Sequence, residues 1–381
     1  MIWFALWREH KLSIAEILAV FPEWRTVYFS NDILILDWIN KDVALKKANS
    51  LWWTIKIIEI IDTDIIDDAL KSEWKFKYWL STFWDKKNLK EILNTTKKIL
   101  KENDISSRFV NKDFTNLSSA QILWEKLVQS STDYNFIFDF DNKYIWKTIW
   151  IQDIYNYSKR DFNKDRDMQT GMLPPKLCQM MINLSWWKNI YDPFVWLWTI
   201  LIESILMWNK KVYWSDLNQT MVENSRNNIN NFAKENNIIL EDSDFIKLNA
   251  KFINESNILI EKEIDAIVTE WYLWEIMTQK NISVERIEKQ KESLLSIYDK
   301  FFLNLKNIDY KWNLVVCFPF WEINSKYIYF EEVYKIINDF CDIEKLFPDN
   351  FENITTKAWS LLYKREKQLV WREIFKLKIK A

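Results

Sequence analysis

The chain carries 24 Trp and a single Gly among 381 residues, and nothing else constrains its fold as much. Turns need a residue that reaches positive φ without a Cβ clash, and Gly is that residue. Ordinary proteins give roughly 7% of their positions to Gly, while Trp and Gly together fill 25 of 381 here. The Trp also stand where Gly punctuates a chain. Leu51-Trp52-Trp53-Thr54, Ser185-Trp186-Trp187-Lys188 and Pro22-Glu23-Trp24-Arg25 are polar, turn-like settings between apolar runs. Most Trp are therefore read as Gly positions: a gene in which UGA means Gly has been read as though UGA meant Trp. A Trp-rich binding or structural protein would instead place its Trp on helical or alternating faces. Genuine Trp are expected at Trp359 or Trp371.

A length of 381 residues suits two or three domains, each with its own core. A net charge of −2 argues against a nucleic-acid binder that uses its whole surface, and leaves room for a local basic face. Cys178, Cys317 and Cys341 are too scattered for a metal site and suggest a reducing compartment. His10 is the only His, which leaves almost no room for His-based triads, His proton shuttles or His-rich metal sites. The apolar start at Met1 to Trp7 stops at Arg8-Glu9-His10-Lys11, short of a signal segment, and no apolar run reaches about 18 residues. The expectation is a soluble cytoplasmic protein with no metal and no membrane partner.

Three domains are expected: 1–65, 66–150 and 151–381. Residues 1–65 read as a ferredoxin-like α+β unit, with a helix from Leu12 to Val20, extended runs at Thr26 to Phe29 and Ile33 to Leu36, a helix near Asp42 to Ala48 and a strand at Thr54 to Ile60. Residues 66–150 repeat that texture with more basic character: Lys75, Lys77, Lys86, Lys87, Lys90, Lys97, Lys98, Lys101, Arg108 and Lys112 fall in one segment. Such a run is either a solvated helix face or a surface for RNA phosphates. From about residue 170 strands alternate with helices. Strands are expected at Ile190 to Asp192, Lys211 to Tyr213, Ile238 to Leu240, Ile264 to Thr269 and Leu314 to Phe318, with a terminal hairpin from Trp359 to Ile379. This is the pattern of an α/β fold with a doubly wound, Rossmann-like parallel sheet.

The strongest motif is Asp192-Pro193-Phe194-Val195-Trp196-Leu197-Trp198-Thr199, which reads D-P-F-x-G-x-G-T once Gly is restored. It closes a strand and opens a helix, so Asp192, Phe194, Trp196, Trp198 and Thr199 form a turn whose backbone can approach a polar or anionic cofactor. Asp216 ends the next strand, where a carboxylate accepts the ribose hydroxyls of a nucleoside cofactor. Asp244, just after the third expected strand, is placed either to receive an adenine amino group or to act as a plain loop acid. At the fourth strand, Thr269-Glu270-Trp271-Tyr272 offers a carboxylate for an exocyclic N–H and a ring for stacking. Glu270 and Tyr272 are the catalytic candidates.

These residues resemble the tRNA (guanine10-N2)-methyltransferase family. The likeness runs through Leu6-Trp7-Arg8-Glu9-His10-Lys11-Leu12-Ser13, Leu51-Trp52-Trp53-Thr54-Ile55-Lys56, Lys77-Tyr78-Trp79-Leu80-Ser81, Gln152-Asp153, Arg160-Asp161, the segment Thr170-Gly171-Met172-Leu173-Pro174-Pro175-Lys176-Leu177, and the Asp-Pro-Phe motif. It implies a class I methyltransferase domain that uses S-adenosyl-L-methionine, an N-terminal THUMP-like RNA-binding region, and tRNA as partner. On this resemblance Lys75, Lys77, Lys86, Lys87, Lys90 and Arg108 become the RNA-contacting candidates. A small activating subunit is left open. One departure stands out: amino-group methylases of this kind carry Asp/Asn-Pro-Pro-Tyr at the fourth strand, and this chain has Glu270-Trp271-Tyr272-Leu273. Methylation of ribosomal RNA or of an adenine amine, and an RNA-binding protein with a degenerate pocket, are the alternatives.

Overall fold

The computed structural model describes residues 1–60, 65–82, 87–110, 117–139, 142–155, 173–186, 189–195, 198–207, 209–271, 277, 281–349, 351, 354–365 and 368–380. The chain divides into two compact units, Met1–Ile14 with Phe21–Lys164 and Ala15–Val20 with Asp165–Ala381.

The first unit is built on one mixed sheet. Its elements are β1 (Ile2–Leu6), α1 (His10–Val20), β2 (Arg25–Phe29), β3 (Ile33–Asp37), α2 (Lys41–Ala48), β4 (Thr54–Ile60), α3 (Ile65–Leu70), β5 (Phe76–Thr82), α4 (Lys87–Glu102), β6 (Ser107–Phe109), α5 (Ser119–Trp124), β7 (Asp133–Asp139) and β8 (Asn142–Ile151). The strand order is β2-β3-β1-β4-β8-β7-β5-β6. The first four strands with α1 and α2 make the βαββαβ ferredoxin-like arrangement, and β4 pairs antiparallel with β8, so the sheet continues into the second segment. There β5 pairs in parallel with both β6 and β7. Tyr78, Leu80, Leu93, Leu100, Tyr134 and Phe136 form the core beneath α4, whose apolar residues recur at helical spacing. One charge inside is matched: Lys56 Nζ donates to Asn135 Oδ1 at 2.6 Å and Asp133 Oδ2 at 3.2 Å.

The second unit contains α6 (Pro175–Ser185), β9 (Ile190–Asp192), α7 (Thr199–Leu206), β10 (Lys211–Asp216), α8 (Gln219–Glu235), β11 (Asp242–Lys247), α9 (Ile258–Glu261), β12 (Ala266–Glu270), α10 (Val284–Asn307), β13 (Asn313–Ile323), β14 (Lys326–Ile328), α11 (Glu331–Phe340), β15 (Cys341–Ile343), β16 (Leu361–Tyr363) and β17 (Val370–Ile379). The main order is β11-β10-β9-β12-β13-β17-β15, with β14 on β13 and β16 on β17. From β11 to β13 the pairs are parallel, and β17 returns antiparallel to β13. This is the doubly wound, Rossmann-like α/β sheet that the alternation of strands and helices predicts. The central strands are apolar through their middles because helices cover such sheets on both faces. Ser283 caps α10 by accepting from Arg286 N–H at 3.2 Å, and Ile287, Leu294, Tyr298, Phe301 and Leu305 bury one stripe of it against Trp271, Phe318 and Phe330.

One strand is not where the sequence puts it. Ile238 to Leu240 form a connection after Asn237, which has φ of 54°, and the strand is Asp242–Lys247, in register with Lys211–Asp216. As an edge strand it is only partly buried along its length, so Asp-Ser-Asp-Phe-Ile-Lys can read as polar. The expected hairpin at the end is present, β16 pairing Leu361 to Tyr363 against Arg372 to Ile374.

The backbone bears on the Trp positions. Trp38, Trp186, Trp198 and Trp359 have φ of 66°, 67°, 44° and 60°, in the left-handed region that costs a residue with a Cβ about 1–2 kcal/mol. Trp359, expected to be genuine, thus occupies a Gly-type conformation. Trp371 does not: it lies in β17 and its indole N–H donates to Gln368 O at 2.6 Å. The indole nitrogens of Trp146, Trp214, Trp271 and Trp321 are buried without a protein acceptor, each a cost of roughly 1–3 kcal/mol that Gly would not incur.

Candidate active site

Strand β9 is where the order of the parallel sheet reverses: β10 and β11 lie on one side of it, β12 and β13 on the other. Open α/β sheets hold ligands at such a switch point, beyond the carboxyl ends of the strands. Three acids stand at those ends: Asp192 on β9, Asp216 on β10 and Glu270 on β12.

Asp192 is buried. Its Oδ1 accepts from Thr269 Oγ1 at 2.7 Å and from Phe194 N–H at 3.1 Å, the second bond folding the Asp-Pro-Phe turn. Burial pushes its carboxyl up to about 7; Thr269 and Phe194 oppose that rise, and the charges of Asp216 and Glu270 add to it. The Phe194 ring lies 4.9 Å from that of Trp271. Trp198, in the left-handed conformation, is the residue before α7, and Thr199 is the helix's buried first residue. Trp196 lies outside the described residues.

Asp216 is half-buried and fixed by its own turn: Oδ1 accepts from Asn218 N–H at 2.8 Å, and Asn218 caps α8 by accepting from Thr220 N–H at 2.9 Å. Partial burial raises its carboxyl, with the Asn218 and Leu217 N–H groups acting against that.

Glu270 has a partner that the sequence reading missed. Arg372 of β17 donates from Nε to Glu270 Oε1 at 2.6 Å, and the pair is nearly enclosed, with side-chain exposures of 15% and 3% for Glu270 and Arg372. Burial raises the Glu270 carboxyl while Arg372 pulls it back. Two charged residues inside the apolar run Val370-Trp371-Arg372-Glu373-Ile374-Phe375 were the available signal, since buried charges come in pairs. Tyr272 lies outside the described residues.

Asp244 is not beyond the third strand but inside it, opposite Tyr213 and three residues short of the position that pairs with Asp216. Its carboxylate lies 3.6 Å from Lys262 Nζ. The displacement follows from the shifted strand: Lys247, not Asp244, stands at the carboxyl end.

In the first unit, Lys77 and Arg108 are neighbours across β5 and β6, and both pair with Glu125, at 3.4 and 3.0 Å. Lys75 and Lys90 are exposed. Lys87 begins α4, Lys86 lies outside the described residues, and Lys97 sits over the Phe109 ring at 5.5 Å. Lys90, Lys97 and Lys101 share one stripe of α4 by their spacing.

No family model matches the chain, and no curated protein does. Among solved structures it is similar to a possible methylase from Clostridium difficile 630, at 11% identity and a TM-score of 0.44, over 100% of this chain and 98% of that one. SMU.472, which carries a methyltransferase assignment and is complexed with SAH, gives 10% identity and a TM-score of 0.42, over 100% and 98%. The Pyrococcus abyssi tRNA (uracil-54, C5)-methyltransferase in complex with S-adenosyl-L-homocysteine gives 12% and 0.28, over 56% of this chain and 40% of that one. At these identities the likeness does not reach function, which rests on the chain's own side chains. Among the described residues no helix is long and apolar enough to cross a membrane.

Proposed function

We propose that the chain is an S-adenosylmethionine-dependent RNA N-methyltransferase that acts on tRNA, at the N2 amine of a guanosine. The observation that carries this reading is the placement of Asp192, Asp216 and Glu270 at the carboxyl ends of three neighbouring parallel strands around the switch point. On this reading Asp216 accepts the ribose hydroxyls, and the turn from Asp192 through Phe194, Trp196 and Trp198 to Thr199 brings backbone against the rest of the cofactor. Bound S-adenosylmethionine supplies a methyl group on a cationic sulfur. Held by Asp216 and that turn, the cofactor would offer this methyl as an electrophile to the amine lone pair, and the proton that the amine sheds would pass to solvent. Glu270 accepts an amine N–H and Tyr272 stacks on the base, so the chain contributes orientation and removal of water.

Segment 66–150 would form the THUMP-like RNA-binding domain, after the ferredoxin-like domain of 1–65, with the exposed Lys75 and Lys90 and the ion-paired Lys77 and Arg108 meeting phosphates. Surface pairs such as those on Glu125 contribute little, so a phosphate can replace them. A cytoplasmic location fits this substrate.

Nucleoside analysis of tRNA incubated with the protein and S-adenosylmethionine tests the reading, with N2-methylguanosine as the expected product. Methylated adenosine, or product in ribosomal RNA alone, would move the substrate. Cofactor binding without label in any RNA would leave an RNA-binding protein with a degenerate pocket.

A further inference from the structure

The geometry points to Arg372, on the terminal hairpin, as a positioning residue for Glu270: it engages Oε1 and leaves Oε2 to accept the N–H of the target amine. This inference rests on the methyltransferase reading.

Sheet register places the two residues together. Glu270 pairs with Cys317 of β13, and Cys317 pairs with Ile374 of β17. Cross-strand partners share a face and residues two apart on one strand share it too, so Glu270, Cys317 and Arg372 lie on one side of the sheet at its carboxyl end. The guanidinium therefore crosses over β13 to reach the carboxylate. Pro319, the register partner of Arg372, has no N–H and no charge to compete. Gln368 Oε1 accepts from Arg372 Nη1 at 3.4 Å, which ties the far side of the fork to the turn of the hairpin.

Such a pair answers a physical problem in the proposed reaction. A carboxylate enclosed as Glu270 is would favour its neutral form, and a neutral acid neither attracts an amine N–H strongly nor stabilises the positive charge that grows on the attacking nitrogen. A fixed cation on one oxygen keeps the other charged and aimed. Arg suits this because its planar fork holds direction and never loses its proton. Among the described residues, the charged and titratable groups that face the pair come from three strands: Asp192 on β9, Cys317 on β13 and Tyr363 on β16. Cys317 is held neutral by burial. None of these three is a cation, so among the described residues facing the carboxylate Arg372 carries the positive charge.

The test reads Glu270 directly. Full-length protein labelled with 13C at the Glu side-chain carboxyls is titrated by NMR, and the Glu270 resonance is identified by its absence in Glu270→Gln. In Arg372→Met the midpoint is expected to rise by a pH unit or more over that of the wild type, and in Arg372→Lys by less. The acid limb of the methyl-transfer rate should move with it, so that activity lost at pH 6 returns at pH 9. If Arg372→Met does not fold, Arg372→Gln carries the same comparison. An unchanged midpoint overturns the inference, as does a loss of rate that is equal at every pH. A raised midpoint in a protein whose wild type labels no RNA leaves the ion pair in place and removes the methyltransferase reading instead.

Discussion

Thr269 donates from Oγ1 to Asp192 Oδ1 at 2.7 Å, linking two parallel strands at the switch point of the sheet. The bond steadies a carboxyl that burial has pushed up to about 7, well above an ordinary Asp. The folded state therefore holds this proton more tightly than the unfolded chain. The stability it contributes is complete below about pH 4 and is lost as pH rises through about 7. Asp192→Asn keeps both acceptor bonds and cannot ionise. Urea unfolding should show the variant gaining on the wild type by about 1.4 kcal/mol per pH unit over that window, on the order of 3 kcal/mol between pH 5 and pH 8. A difference that does not change with pH would mean that Asp192 is already ionised at pH 5.

The four left-handed Trp make the recoding testable in two ways. Peptide mass spectrometry of the protein made by its own ribosomes should find Gly at residues 38, 186, 198 and 359 and Trp at 371; Trp at all four would end the recoding account. In the Trp-bearing chain, Trp38→Gly should stabilise by about 1 kcal/mol, because its side chain is 73% exposed and loses little burial. Trp371→Gly should destabilise, since it removes a packed strand residue.

Asp216 should matter to the cofactor and not to RNA. Asp216→Asn keeps the acceptor for Asn218 N–H and loses the charge, so calorimetry should show S-adenosylmethionine affinity falling by roughly 10- to 100-fold, the equivalent of about 1.5–3 kcal/mol for a charge-assisted bond. Unchanged affinity would make Asp216 a turn-forming acid only.

Much of this was legible in the chain. The Asp-Pro-Phe motif fixed the junction of β9 and α7 because a strand-end acid followed by Gly-type positions admits few other geometries. Apolar runs such as Ala266 to Thr269 announced the central strands. What failed to show was decided by neighbours distant in sequence. Strand β11 is polar because it lies at a sheet edge, which misplaced it and carried Asp244 with it. Arg372 is 102 residues from Glu270, and only the antiparallel return of β17 beside β13 brings them together. Trp359, expected with Trp371 among the genuine Trp, has a turn φ of 60° that gives it a Gly-type place.

The basic stripe of α4 predicts a salt effect. Replacing Lys90, Lys97 and Lys101 with Gln should weaken tRNA binding and flatten the slope of log affinity against log salt by roughly 0.7–0.9 for each phosphate that the helix no longer neutralises. S-adenosylmethionine affinity should stay as it was. A slope equal to that of the wild type would return the stripe to a solvated helix face.

The most direct measurement is single-turnover transfer of labelled methyl from S-adenosylmethionine to tRNA, comparing the wild type with Glu270→Gln. The wild type should label tRNA. The variant should bind both ligands as before and transfer at least about tenfold more slowly, because Gln keeps the shape but not the charge that favours the cationic transition state. Equal rates would remove Glu270 from the reaction, and no label from the wild type in any RNA would contradict the account at its centre.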